Sequence, residues 1–411
     1  MGSGGTFAPL VERPFRLLWL GRVSSAAGDV LVPVALAFAV LGLRDSALAY
    51  GVVLATFTLS RVAFSLVGGV VADRVSRRSV MLACDGVRAA VEIFTAAMLL
   101  AHAMTLPLFV VTAAIFGAAS AFFGPAATAL VPQTVSSANL QAANALLAMS
   151  QSALNIFGPA VSGALIVATG TTAWVFAIDA ATFVVSAFFL LRLRVSGRAH
   201  LPHADFVREL REGYREVRRR AWVSSALAAF AISNLCFASF LVLGPAVYHH
   251  HGGPGRWAIV AACGASGAVI GGYVSARARP AHPLAAAFAI STLIALPVAA
   301  LARPLGLPAV AGAFALGMAA IAYANVLWET TLQRRIPGAV LARVRSYDQL
   351  VSFVFMPAGY LAFGALAGQV GTQPTLLAAA AVVAVTNVAV ALVPCVRALT
   401  ADDPELEPAR A

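Results

Sequence analysis

Lysine is absent from this 411-residue chain, and charge of either sign is scarce. All 28 basic residues are arginine, and charged residues make up 11% of the sequence, against about 25% in an average soluble domain. A phosphate-binding P-loop needs a lysine, and so does Schiff-base catalysis, so both chemistries are excluded. With 60% hydrophobic residues, the composition also excludes a water-soluble or a disordered protein.

Signatures of catalysis and metal binding are missing as well. The sequence contains no HExxH, GxSxG or CxxC pattern. Its cysteines, Cys84, Cys236, Cys263 and Cys395, stand far apart in or beside apolar segments, which is typical of apolar filler rather than of a disulfide or metal set. The consecutive histidines at 249–251 are interpreted as a polar loop, because adjacent residues rarely all face one ion. We therefore expect no enzyme activity, no cofactor and no bound metal.

Long apolar runs fill almost the whole chain. About 20 mainly apolar residues cross the hydrocarbon core of a membrane, which is roughly 30 Å thick. The sequence predicts twelve such helices, at roughly 14–43, 47–72, 79–102, 106–131, 141–169, 172–193, 222–248, 256–277, 283–302, 307–331, 346–369 and 373–396. The predicted fold class is therefore an all-α integral membrane protein.

The placement of arginine predicts how these helices cross the membrane. If both termini lie in the cytoplasm, the loops on that side hold 22 of the 28 arginines, and the outer loops hold only Arg44, Arg256 and Arg303. Positive charge accumulates in cytoplasmic loops. We therefore predict a multi-pass protein of the inner (cytoplasmic) membrane with both termini cytoplasmic. The net charge of +11 then reflects topology and contact with membrane lipids, and no nucleic-acid partner is expected.

The predicted helices divide into two sets of six. The boundaries give an N-terminal six-helix half at 1–193, a cytoplasmic linker at 194–221, a C-terminal six-helix half at 222–396 and a cytoplasmic tail at 397–411. Apolar residues at helical spacing predict an amphipathic helix in the linker. A Gly-Gly pair and a Pro-Ala pair recur at matching places in both halves, and such repeats are typical of secondary transporters.

A short motif follows the second predicted span. Residues 69–78 read GVVADRVSRR. This segment resembles motif A of the major facilitator superfamily, GxxxD(R/K)xG(R/K)(R/K), with Ser76 in place of the second glycine. Residues 10–398 resemble drug-exporter-type members of that superfamily of actinobacterial character. The resemblance implies the major facilitator superfamily fold, transport of a small-molecule substrate by alternating access, and a monomer.

The resemblance also implies a conformational switch at this loop. In the family, the motif A acid lies at the inner membrane face and meets the positive N-terminal end of the eleventh helix. The neighbouring arginines anchor the loop and can pair with Asp85 or Asp348. The predicted switch residues are Gly69, Asp73, Arg74, Arg77, Arg78 and Asp85. The alternative is that the arginines only mark topology.

The fifth predicted span contains a degenerate form of the family's motif C, the antiporter signature. Gly158, Pro159 and Gly163 match it, whereas Ser162 replaces one of its glycines. In the family this segment seals the outer side of exporters. A plain proline kink is the alternative interpretation.

Ionisable residues inside the spans indicate where coupling ions bind. A charge within the membrane is costly and is usually functional or paired. Asp29, Arg61 and Glu92 reach a similar depth in the first three spans, given the helical rise of about 1.5 Å per residue. We therefore predict proton coupling at Asp29, with Arg61 and Glu92 setting its affinity, or with Glu92 carrying the proton. The alternative is a static salt-bridge cluster. Asp179 is interpreted as a packing residue.

The substrate cavity is expected between the first, fourth, seventh and tenth spans, again on the basis of the resemblance. Its predicted lining residues are Asn155, Asn234, Phe237, Tyr323 and Trp328, and apolar and aromatic linings suit amphiphilic organic molecules. Glu329, at the inner end of the tenth span, is interpreted as a boundary ion-pair residue beside Arg334 and Arg335.

Three functions remain open at this point. The leading hypothesis is proton-coupled export of small amphiphilic compounds, such as drugs or secondary metabolites. A siderophore exporter or a nutrient importer of the same fold is the second. The third is a membrane protein that does not transport, such as a lipid scramblase or a sensor.

Overall fold

A computed structural model describes residues 6–72, 76–194, 214–303 and 305–400 of the chain. Asp73 and Arg74 of the motif A loop lie outside the described residues. So do residues 195–213, which hold most of the predicted linker helix, and residues 401–411 of the predicted tail. In the described part of the linker, residues 214–219 are helical.

The chain divides into two compact units. The first unit comprises Met1–Pro202 and Tyr248–Ala262, and the second comprises His203–Val247 and Cys263–Ala411. Every regular element in the described ranges is a helix. The six-plus-six domain boundaries stay a prediction.

The helices of the first unit follow one another with short connections. They are α1 (Arg13–Asp29), α2 (Val32–Leu43), α3 (Ala47–Ala72), α4 (Arg77–Leu100), α5 (Leu106–Thr134), α6 (Leu140–Thr169) and α7 (Ala173–Arg192). Helices α8 (Ala221–His250) and α9 (Gly253–Ser275) have residues in both units. The second unit continues with α10 (Pro283–Ser291), α11 (Ala295–Leu301), α12 (Leu307–Arg335), α13 (Gly338–Val354), α14 (Met356–Val370), α15 (Thr372–Leu392) and α16 (Pro394–Arg397).

Eleven helical segments of the described chain are long and apolar enough to cross a membrane. The sequence predicts twelve such segments, and the one that is not among these eleven is the third predicted span. Helix α4 occupies that position with 24 residues, but Asp85, Arg88 and Glu92 interrupt its apolar sequence. All three side chains are buried. The all-α membrane fold is therefore confirmed, and the composition of α4 differs because its charges face protein.

Prolines interrupt three of the predicted spans. The first span is divided into α1 and α2 ahead of Pro33, which has no amide hydrogen to continue the helical ladder. The ninth passes through a 3-10 turn at Thr292–Ile294 ahead of Pro297. The eleventh is divided into α13 and α14 ahead of Pro357. Each break leaves backbone carbonyls that need another donor.

Within the first unit, α1 and α4 both pack against α7, and α3 and α4 both pack against α5. Large apolar side chains such as Phe15, Met81, Leu130 and Leu190 form a buried cluster there. Burial of each such side chain stabilises the fold by about 1.5–3 kcal/mol. This packing brings one face each of α1, α4 and α7 together.

The start of α1 is tied to the turn between α5 and α6. The Glu12 carboxylate accepts hydrogen bonds from the backbone amide and hydroxyl of Ser136 and from Asn139 Nδ2, each at 2.8 Å. The bond from Asn139, together with those from Ser136, holds the pKa of Glu12 below its ordinary value.

In the second unit, α9 approaches α12 through glycines. A Cβ at Gly267 would lie 2.0 Å from the carbonyl oxygen of Ala315, and one at Gly271 would lie 2.1 Å from that of Ala319. No side chain fits in that space, so the two backbones are in direct contact. Small residues allow such close packing in membranes, where lipid offers no hydrophobic force between helices.

Candidate functional site

Ionisable side chains from three helices meet inside the first unit. On α4 the ionisable residues lie at helical spacing and so share one face, and α1 and α7 contribute one acid each. We call this group the buried ion cluster, and it consists of Asp29, Asp85, Arg88, Glu92 and Asp179.

Arg88 lies at the centre of the cluster and is only 2% exposed. Its Nη1 lies 3.4 Å from Asp29 Oδ2, and its Nη2 donates to Asp85 Oδ1 at 2.5 Å and to Ser25 Oγ at 3.3 Å. Arg88 therefore links α4 to α1 through the ion pair with Asp29 and the hydrogen bond to Ser25, and it pairs with Asp85 within α4.

Aromatic rings enclose the same guanidinium group. The Arg88 Cζ atom lies 4.2 Å from the ring centroid of Phe123 and 4.3 Å from that of Phe183. Ring faces attract a cation more strongly when water is excluded. The contacts keep Arg88 in place and leave its Nε atom without a hydrogen-bond partner among the described residues.

Asp85 has partners for both carboxylate oxygens. Its Oδ1 accepts from Arg88, and its Oδ2 accepts from Ser186 Oγ of α7 at 2.6 Å. The motif A resemblance led us to expect arginines of the preceding loop as partners of Asp85. Its partner in the structure is Arg88, three residues further along the same helix.

Glu92 and Asp179 each keep one carboxylate oxygen without a partner among the described residues. Both are buried, and Glu92 Oε2 and Asp179 Oδ2 have no hydrogen-bond partner within the described ranges. Asp179 lies directly against α1, since a Cβ at Gly28 would lie 1.9 Å from Asp179 Oδ1. The two carboxyl groups are close enough to interact electrostatically with each other and with Asp29.

The predicted trio of Asp29, Arg61 and Glu92 is only partly assembled. Asp29 and Glu92 belong to one cluster, and Arg61 is close enough to Asp29 to act on it electrostatically. However, Arg61 is exposed on α3 and makes no ion pair with any described residue, whereas Arg88 pairs with Asp29 directly. The Asp29 side chain is 38% exposed, so it is the accessible member of the pair.

The described part of motif A anchors α4. Ser76 caps the helix, because its Oγ accepts from the Ser79 amide at 3.1 Å. Arg77 Nη1 donates to the Ala129 carbonyl of α5 at 2.8 Å, and Arg78 Nε donates to the Leu190 carbonyl of α7 at 2.6 Å. Both arginines thus donate hydrogen bonds to carbonyl groups near the ends of neighbouring helices. Gly69 lies in α3.

The motif C-like segment packs against the break between α1 and α2. A Cβ at Gly158 would lie 2.3 Å from Val30 Cγ2, and one at Gly163 would lie 2.4 Å from Ala258 Cβ. Ser162, which replaces a motif glycine, donates from Oγ to the Leu31 carbonyl at 2.8 Å. The serine therefore satisfies a carbonyl at the break. Pro159 lies inside α6, which continues through it.

The second unit contains a cavity of about 330 Å³, which we call the amide-rich cavity. Three predicted substrate residues line it: Asn234, Phe237 and Trp328. Sequence reasoning missed most of its polar lining, which comprises Ser233, Ser291, Asn325, Gln349, Ser352 and Asn387. Asn387 Nδ2 donates to Ser233 Oγ at 3.0 Å.

Two acids line the amide-rich cavity as well. Asp348 accepts a hydrogen bond from Trp328 Nε1 at 2.9 Å. Glu329 forms an ion pair with Arg345, whereas the sequence had suggested Arg334 or Arg335 as its partner. The cavity thus combines aromatic faces, amide groups and two carboxylates.

The other two predicted substrate residues do not line that cavity. Asn155 belongs to the first unit and accepts from Gln151 Nε2 at 3.0 Å. Tyr323 packs against a small apolar cluster that includes Ala287 and Leu327.

Comparisons with known proteins agree with this architecture. The sequence matches the family described as transmembrane secretion effector, of the major facilitator superfamily, over residues 4–408. No curated protein matches it.

Several solved transporters share the fold at low sequence identity. The nucleoside transporter NupG is 15% identical with a TM-score of 0.68, covering 91% of this chain and 98% of its own. A bacterial homologue of the iron transporter ferroportin is 16% identical with a TM-score of 0.70, covering 92% and 99%. An auto-inhibited POT family peptide transporter is 12% identical with a TM-score of 0.72, covering 97% and 99%. The chain therefore belongs to the transmembrane secretion effector family of the major facilitator superfamily, and it is a multi-pass membrane transporter.

Proposed function

We propose that this transporter couples the export of small amphiphilic organic compounds to the inward movement of protons. One observation carries the proposal, namely the excess of carboxyl groups over cations in the buried ion cluster. Four carboxyl groups surround one guanidinium, and only Asp29 among the four has a substantially exposed side chain.

The imbalance favours bound protons. Each uncompensated buried charge costs several kcal/mol, and Arg88 can neutralise only one carboxylate in full. Arginine keeps its proton in proteins, so the cluster reduces its charge only by binding protons on carboxyl groups. Asp85 is fully bonded to Arg88 and Ser186, so it acts as an anchor. Glu92 and Asp179, with unpartnered oxygens, are the proposed proton carriers together with Asp29.

The exposures suggest a route for the proton. Asp29 is the accessible carboxyl group, and it contacts Arg88 directly. Protonation of Asp29 weakens that ion pair and frees Arg88 to act on the remaining acids. In this way a proton taken up at Asp29 changes the contact between α1 and α4, which is the kind of local event that alternating access requires.

The amide-rich cavity suggests the substrate class. Phe230, Phe237 and Trp328 supply ring faces, while Asn234 and Asn387 supply hydrogen-bonding groups beside them. Such a lining suits molecules with an apolar body and a few polar groups. The compared nucleoside, iron and peptide transporters carry unlike cargoes, so the proposal depends on this lining and not on them.

The remaining parts of the proposal follow from the sequence. We place the protein in the inner membrane as a monomer with both termini cytoplasmic, on the strength of its arginine distribution and its resemblance. Gly69, Asp73, Arg74, Arg77 and Arg78 would form the motif A switch. The packing of Gly158 and Gly163 against neighbouring chain supports an antiporter role for the motif C-like segment.

The test is proton flux in proteoliposomes that enclose a pH-sensitive dye, with amphiphilic cations, macrolides and siderophores as the substrate panel. Substrate-dependent proton flux is expected in the wild type and should be abolished in Asp29→Asn. Asp45→Asn is the matched control. It removes the same charge as Asp29→Asn, but Asp45 is an exposed acid that pairs with His250. Its flux should equal that of the wild type.

Variants of the other acids locate the proton. Glu92→Gln and Asp179→Asn should each reduce coupled flux while leaving substrate exchange between equal pH compartments active. Substrate movement with no proton signal in the wild type would refute the coupling. Equal loss in Asp29→Asn and Asp45→Asn would refute the role of the cluster.

A further inference from the structure

A second cavity, of about 390 Å³, lies on another face of α12 from the amide-rich cavity. It is bounded by the end of α9 at Ser275, the start of α10 at Pro283, the end of α12 at Arg335, and Leu399 and Thr400 beyond α16. Apolar helices stop together at this place. Because such helices end where the hydrocarbon ends, the cavity lies at the depth of the lipid headgroups.

The charged residues that line this cavity are all basic. Arg279, Arg334 and Arg335 line it, and none of its lining residues is acidic. Arg279 Nη1 donates to the Ala278 carbonyl at 2.9 Å, and Arg335 Nη2 donates to the Thr400 carbonyl at 2.6 Å, so both side chains are positioned. Arg334 is exposed and makes no hydrogen bond or ion pair with the described residues.

The inner part of the cavity is apolar. Val326 and Leu327 form this wall, and Val326 is 39% exposed. Val326 lies nine residues before Arg335 on α12, which is about 13 Å along the helix. The cavity therefore changes from cationic at the membrane surface to apolar toward the membrane interior.

We propose that this cavity binds an anionic phospholipid. The phosphate of the headgroup lies among Arg279, Arg334 and Arg335, since guanidinium groups bind phosphate oxygens in a bidentate manner. One acyl chain lies along Val326 and Leu327. A soluble phosphate would use only the basic half, and a zwitterionic lipid would bring its own cation against the arginines. The site is independent of the buried ion cluster and of proton coupling.

The experiment is native mass spectrometry of the full chain released from nanodiscs of phosphatidylcholine that contain a titrated fraction of phosphatidylglycerol. The wild type should retain one phosphatidylglycerol in preference to phosphatidylcholine. Each arginine near an anionic headgroup contributes about fivefold in affinity, so Arg279→Gln with Arg334→Gln should weaken retention about 25-fold. Arg335 is left unchanged because its side chain donates a hydrogen bond to the Thr400 carbonyl.

The matched control is Arg277→Gln with Arg397→Gln. These two exposed arginines also flank the ends of α9 and α16 but do not line the cavity, so the control loses the same charge. Retention in the control should equal that of the wild type. Equal weakening in both double variants would overturn the site and leave only general surface attraction.

Two further arms separate the source of the ligand. Inorganic phosphate at millimolar concentration should not displace the retained lipid, and displacement would assign the site to soluble phosphate instead. A chain ending at residue 400 lacks the acidic segment 401–411, and it should retain the lipid as the full chain does. Retention that appears only after this truncation would assign the basic cavity to the acidic segment and overturn the proposal.

Discussion

Among the described residues, Arg88 is the only one whose guanidinium contacts the acids of the buried ion cluster, and replacing it by methionine removes that group while roughly preserving side-chain volume. Asp29 and Asp85 would lose partners at 3.4 Å and 2.5 Å. Breaking a buried ion pair by removing one partner costs about 3–5 kcal/mol. The lost contacts with Phe123 and Phe183 add to this. We therefore expect Arg88→Met to lower the free energy of unfolding by about 3–5 kcal/mol.

The comparison with Arg61→Met makes this prediction specific. Arg61 also lies in a membrane helix, but it is exposed and unpaired within the described residues, so its loss should cost less than about 0.5 kcal/mol. Both variants are measured by titrating purified protein in mixed micelles with a denaturing detergent and following helix content. Arg88→Lys keeps the charge but has one nitrogen in place of the two that contact Asp29 and Asp85, so its stability should fall between those of the wild type and Arg88→Met.

A double variant tests the cause of the loss. Adding Asp85→Asn to Arg88→Met removes one unpaired carboxylate, so part of the lost stability should return. An equal loss in Arg61→Met and Arg88→Met, or a further loss in the double variant, would refute the assignment of Arg88 as the partner of these acids.

Three other predictions concern the same unit. Gly28→Ala should lower stability by about 1–3 kcal/mol, since its Cβ would overlap Asp179 Oδ1; Gly86→Ala, with open space around it, should be neutral or slightly stabilising in the same thermal-unfolding measurement. The hydrogen bonds that Glu12 accepts lower its pKa, so its ionised carboxylate should stabilise the fold fully above pH 4.5. This stabilisation should be lost as the pH falls through the lowered pKa. The difference in stability between the wild type and Glu12→Gln should therefore vanish in acid. Ser76→Ala should cost about 0.5–2 kcal/mol through loss of the α4 cap, whereas Ser76→Gly should cost only a few tenths, which chemical denaturation can resolve.

Apolar run length was enough to predict the membrane fold. It also located the helices closely, including α4, which has the length of a span but not the composition of one. The charges that interrupt α4 reveal a limit of hydropathy, because a helix surrounded by other helices can carry ions that a lipid-facing helix cannot. Proline positions such as Pro33 and Pro357 were visible too, but their effect on the course of the helices depended on packing.

The ion partners were harder to predict, for a geometric reason. The depth of a residue in the membrane can be predicted from sequence, and similar depth was the reason to group Asp29, Arg61 and Glu92. The direction in which a side chain points around the helix axis depends on packing. Packing leaves Arg61 exposed and buries Arg88. One signal was available, since Asp85, Arg88 and Glu92 follow each other at helical spacing in an otherwise apolar segment. Asp179 carried no such signal, because its neighbours belong to other helices.

The composition of the buried ion cluster has an electrical consequence. Its single guanidinium is a fixed charge, so the net charge of the cluster ranges from +1 with every carboxyl group protonated to −3 with none. A proton that reaches it from one face of the membrane crosses part of the transmembrane voltage, which is worth about 2.3 kcal/mol per charge for each 100 mV across the full thickness. Filling and emptying of Asp29, Glu92 and Asp179 would therefore respond to voltage as well as to acidity, and turnover with an uncharged substrate would draw a measurable current.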